Sequence, residues 1–109
     1  MQSKILIPFP VDLKSMKGVE LISKLQQEIH LHKYQIGYMI QDYFPQQKVR
    51  VAELLFRSTD GLTAFVKFSL EEFSSCAAID TYELSGMEIQ VILDHDAGAI
   101  EIIGEQWAE

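Results

Sequence analysis

Two apolar runs separated by a four-residue turn signal constrain this chain more than any other feature. Leu62, Ala64, Val66, Phe68 and Leu70 alternate with Thr63, Phe65, Lys67 and Ser69, the period of a strand with one face buried. Residues 48–57 before them are rich in Val, Leu and Phe, and Ser58-Thr59-Asp60-Gly61 joins the two runs. Such a polar, Gly-ended connection predicts a hairpin over residues 48–70. A two-stranded hairpin is marginal in water and needs more strands or a helix on its apolar face. The remainder of the chain must supply that cover.

A short first strand is expected over residues 5–9, closed by Pro8 and Pro10. From about Ser15 the period changes, with Ile22, Leu25 and Ile29 on one helical face and Glu20, Lys24, Gln27 and Glu28 polar. Asp12 or Ser15 would cap this helix, and Gly18 would weaken its first turn. Residues 33–44 support two readings. Tyr34, Ile36, Tyr38 and Ile40 alternate as a strand does, whereas Ile22, Leu25, Ile29, His32, Ile36, Met39 and Tyr43 keep an unbroken helical spacing. Gly37 and the Tyr/Ile composition favour the strand, which Pro45-Gln46-Gln47 would turn into the hairpin.

After the hairpin, Ser69-Leu70-Glu71-Glu72 has the form of a capping box, predicting a short helix to about Ala78 with Phe73 and Ala77 inside. Ser85-Gly86 reads as a turn into the alternating Met87, Ile89, Val91 and Leu93, and residues 94–98 as a turn into a strand over 99–103. The expected fold class is therefore α+β: one domain over residues 1–109, with an antiparallel β-sheet of about five to seven strands packed by one long and one short helix.

Charge is segregated along the chain. Residues 1–50 carry seven bases and four acids, a net of +3, and residues 51–109 carry two bases and twelve acids, a net of −10. The total of −7 argues against nucleic-acid binding, strongly for the second half and weakly for the first. An acidic surface of Glu83, Glu88, Asp94, Asp96 and Glu101 is the expected contact for a partner, a basic protein being the natural complement. The basic half of one chain against the acidic half of another would give a homodimer. Carboxylates spaced like phosphates would give an inhibitor that mimics nucleic acid.

The residues that usually announce an enzyme are missing from the sequence. There is no GxSxG elbow, phosphate loop or dinucleotide fingerprint, and Cys76, the single cysteine, reads as a small core residue. His30, His32 and the Asp94-His95-Asp96 cluster lack the spacing of a metal family, and polar residues belong in a hairpin loop anyway. No catalytic residue, cofactor or metal ligand is assigned. The expected function is a small non-enzymatic binding or accessory protein. The alternative is a small-ligand-binding or enzymatic α+β domain with a pocket lined by Tyr34, Tyr38 and His95. Trp107 would either dock onto the domain or form an exposed contact. One unpaired cysteine, and an apolar N-terminal run too short and too proline-broken for a signal peptide, favour a cytoplasmic protein with no membrane segment.

Overall fold

The two runs joined by Ser58–Gly61 do pair. In the computed structural model, β2 (Gln47–Phe56) and β3 (Thr63–Glu72) are antiparallel, with Lys48 opposite Glu71 and Phe56 opposite Ala64. The structure describes residues 1–8, 16–57, 62–72, 82–94 and 98–108. Within them lie β1 (Lys4–Pro8), α1 (Gly18–Leu31), α2 (Lys33–Gln41), β4 (Tyr82–Asp94) and β5 (Ala99–Ile103). The five strands form one antiparallel sheet in the order β1-β5-β4-β3-β2. The α+β class, the strand number and the first helix agree with the sequence; the second helix, α2, stands where a strand was favoured.

Alternation explains the core. Ala64, Val66, Phe68 and Leu70 of β3 face inward beside Met87, Ile89 and Val91 of β4, and Ile100 and Ile102 of β5 continue that layer to Ile7 of β1. All are buried, and α1 and α2 add Leu25, Ile29, Ile36, Met39 and Ile40 to the same cluster. In β2 the phase changes at a bulge between Val51 and Glu53. Val49 and Val51 share the inward face before it, Leu54 and Phe56 after it. That shift is why the run never showed a clean period in the sequence.

Three local expectations are corrected. Residues 33–41 are helix, not strand: Ile36, Met39 and Ile40 are fully buried while Tyr34 and Tyr38 are exposed. Alternation would have put Tyr34, Ile36, Tyr38 and Ile40 on one face, so the unbroken helical spacing was the governing pattern. α1 and α2 break only at His32 (φ −105°, ψ 23°), and the His32 C=O still accepts from the Ile36 N–H at 3.2 Å. Gly37, which seemed to argue against a helix, stands where α2 presses on β2. A Cβ there would lie 3.3 Å from Val51 Cγ2.

The second correction concerns Ser69-Leu70-Glu71-Glu72, which is strand and caps no helix. Leu70 is buried opposite Glu83, and β3 runs on to Glu72. Pairing on both sides of β3 outweighs the local capping signature. The rest of the helix expected to Ala78, residues 73–78, lies outside the described residues. Third, Ser85-Gly86 is no turn but the middle of β4, opposite Phe68 and Lys67. Expectations at Asp12 and Ser15, at the Ser58–Gly61 connection and at residues 95–97 also fall outside the described residues. Gly18 opens α1 at φ +63°, a conformation that glycine adopts without strain.

Gly86 has a packing reason. The Phe65 ring, on the outer face of β3, lies across it, and a Cβ would meet Phe65 Cζ at 2.1 Å. The Arg57 guanidinium stacks over the same ring, 4.9 Å from its centroid. Gly86→Ala is therefore expected to destabilise the wild-type chain, yet to be neutral or favourable beside Phe65→Ala, where β-propensity alone decides. A double-mutant cycle by denaturant unfolding should give a coupling of about 0.5–3 kcal/mol. Additive effects would contradict the packing.

Candidate basic cleft between α2 and β2

α2 lies along the free side of β2, and Gln41 joins them. Its side-chain Nε2 donates to the Phe44 and Gln47 carbonyls, and its Oε1 accepts from the Val49 N–H at 2.9 Å. One side-chain amide thus stands in for a neighbouring strand at the start of β2. Beyond it the two elements diverge around a cleft of about 330 Å³. Lys33, Tyr34, Gly37, Tyr38 and Gln41 line its helical wall; Lys48, Val49, Arg50 and Val51 line its strand wall.

Helical spacing produces the first wall, because residues four apart stack on one face. Lys33, Gly37 and Gln41 form one such row and Tyr34 and Tyr38 a second. Tyr34 and Tyr38 are 73% and 75% exposed, unusual for adjacent aromatic rings. The cleft is basic, with three cationic side chains and no acidic one among its lining residues. Lys33 Nζ sits 5.6 Å from the Tyr34 ring centroid. Arg50 Nε is 3.7 Å from Glu71 Oε1, an exposed pair that water screens. Lys48 makes no ion pair among the described residues. Three of the seven bases of residues 1–50 therefore meet at one place.

The sequence-derived acidic surface is distributed differently. Glu88, Asp94 and Glu101 lie on the outer face of the sheet, away from the helices, by the alternation of β4 and β5. Glu101 is paired with Lys4 at 3.2 Å, and its immediate cross-strand neighbours are Leu6 and Ile92. The Glu88 N–H donates to the Glu105 carboxylate at 2.9 Å. Glu83 has its backbone in β4 opposite Leu70, and its side chain lies outside the described residues, as does Asp96. The acids that are described alternate with apolar side chains.

Of the alternative pocket, Tyr34 and Tyr38 do come together, on the cleft, while His95 lies outside the described residues. Cys76 lies outside them too. His30 meets the Phe56 ring edge-on at 5.7 Å, and His32 Nδ1 donates to the Glu28 carbonyl at 2.8 Å. Among the described residues no three His, Cys, Asp or Glu side chains gather as metal ligands would. No described helix is long and apolar enough to cross a membrane.

The aromatic residues of 34–44 divide into two groups, with Tyr34 and Tyr38 exposed on the cleft. Tyr43 and Phe44 turn inward to Trp107, with ring centroids 4.9 and 5.3 Å away, so Trp107 docks on the domain. Sequence reasoning singled out Tyr34 and Tyr38 but missed Lys33, Gln41, Lys48, Arg50 and the two valines as parts of the same site. The proximity of bases to tyrosines was the available signal. Comparison with protein-family models, with curated proteins and with solved structures finds no match to this chain.

Proposed function

We propose that the chain is a non-enzymatic protein-binding module whose contact surface is the α2/β2 cleft and whose partner presents acidic groups. One observation carries this reading: two exposed tyrosines and three cationic side chains converge on a cleft without a carboxylate in its lining. Tyr offers large apolar area with a hydroxyl that tolerates water, which suits a surface alternately wet and covered. Cations around it speed the encounter with an acidic partner and select for it.

A second reading keeps the outer sheet face, with Glu88, Asp94 and Glu101, as a contact for a basic protein. The net −10 of residues 51–109 favours it. Interleaved Leu6 and Ile92, and the Lys4–Glu101 pair, dilute that face. A homodimer would join both readings, basic cleft to acidic sheet.

Affinity capture from native lysate separates them. The cleft reading expects a salt-sensitive partner that is lost with Tyr34→Ser/Tyr38→Ser and retained with Glu88→Lys/Glu101→Lys. The opposite pattern assigns function to the outer face.

A further inference from the structure

We propose that the cleft holds its partner as an extended acidic segment, laid along β2 as an added strand. This rests on the cleft being the binding surface and specifies what occupies it.

The backbone of β2 supplies the first argument. Antiparallel pairing turns alternate residues toward the partner strand and the others away from it. Val49 gives its N–H to Gln41 and so faces away from β3. By the period of two, Val51 faces the same way, and both line the cleft. Among the described residues no strand lies beyond β2. Gln41 occupies the first rung of the ladder, at Gln47 and Val49, and the bulge between Val51 and Glu53 interrupts it at the other end. Between those limits the edge offers peptide groups to an incoming chain in the mode of β-strand addition. Gln41 shows that an amide already fits there.

Charge supplies the second argument. A strand added at the free edge of β2, beside α2, alternates its side chains between two sides. Lys48 and Arg50 belong to the outer face of β2, whereas Lys33 stands on the helical wall. Carboxylates at alternate positions of the segment therefore meet Lys48 and Arg50 on one side, and Tyr34 and Tyr38 cover its apolar positions on the other. Single-stranded nucleic acid would use the same cations and rings. It is disfavoured by the edge amides and carbonyls of β2, which match a peptide backbone better than a sugar-phosphate one.

The test uses a short alternating glutamate–valine peptide and two analogues, each N-methylated on one alternate set of backbone amides. Binding is measured by calorimetry against the whole chain and against Lys48→Glu/Arg50→Glu, whose side chains are exposed. The peptide is expected to bind the wild type, and the charge reversal to weaken it by about tenfold or more. One methylated analogue should bind about threefold to tenfold more weakly, because it loses ladder bonds, and the other should bind like the parent. Hydrogen exchange of the Val51 amide should slow on binding.

Equal binding by both analogues, with the charge reversal still effective, overturns strand addition and leaves the cleft as the binding surface. Peptide binding that ignores the charge reversal overturns both. Tighter binding of a short oligothymidylate at the same cleft overturns the assignment to peptide. A dimer that the charge reversal dissolves and the peptide cannot displace makes a second copy the occupant and overturns it as well.

Discussion

Truncating Ile36 to alanine is expected to cost about 2–5 kcal/mol of unfolding free energy, while Tyr34→Ala and Tyr38→Ala each stay within about 0.5 kcal/mol. Ile36 is fully buried in α2 against the sheet, and the two tyrosines are largely exposed. Removing the Ile36 side chain gives up its transfer free energy and leaves a cavity in a layer that also holds Ile29 and Ile40. The tyrosines face the cleft and solvent, so their truncation removes little buried area. A strand over the same residues would place all three side chains on one face and make the three costs alike. Denaturant unfolding, with midpoints compared at constant slope, reads the difference. The same result makes Tyr34 and Tyr38 usable in binding tests, since their loss leaves the fold intact.

Tyr43→Phe is expected to cost about 1–3 kcal/mol, and Gly104→Ala at least about 2 kcal/mol. The Tyr43 hydroxyl accepts from the Ser3 N–H at 2.8 Å and donates to the Glu105 carbonyl at 2.6 Å. It thereby links the end of α2 to the start of β1 and to the segment after β5. Phenylalanine keeps the ring but leaves the Ser3 donor without its partner. Gly104 lies against that hydroxyl, and an added Cβ would fall 2.6 Å from the oxygen and 3.2 Å from the ring. The ring cannot swing aside freely, because it also packs edge-on against Trp107. Gly104→Ala must therefore break both hydrogen bonds or move the segment. Trp107 emission should shift to the red in Gly104→Ala as the indole becomes wetter, and remain near wild type in Tyr43→Phe. Equal stability of all three chains would remove this lock from the account.

Much of the fold was legible where one face of an element is buried and its period unbroken. β3 shows this best: its alternation gave the buried face and the start of the strand, though not its end. β2 was legible as a strand but not in phase, because the bulge before Glu53 moves the inward positions from odd to even numbers. α2 was misread because its apolar residues satisfy two periods at once, and what decides between them is tertiary. Gly37 had to be small for α2 to approach Val51, a fact carried by no residue near Gly37 in sequence. Ser69–Glu72 shows the converse, a local helix signal overruled by pairing on both sides.

The cleft follows the same logic. Its tyrosines could be singled out by type. Their convergence with Lys48 and Arg50 exists only once α2 folds back on β2 and Gln41 bridges the two. Of the acids conspicuous in the second half of the sequence, Glu88, Asp94 and Glu101 are set by strand alternation on an outer face they share with Leu6 and Ile92. The −7 total concealed the small basic site.

Backbone amide shifts of the isotopically labelled chain, followed during titration with the alternating glutamate–valine peptide, show whether the α2/β2 cleft or the outer sheet face is the binding surface. Saturable changes are expected in residues 33–41 and 48–51, with those of Glu88 and Glu101 unmoved. Changes centred on β4 and β5, or none at saturating peptide, would contradict binding at the cleft.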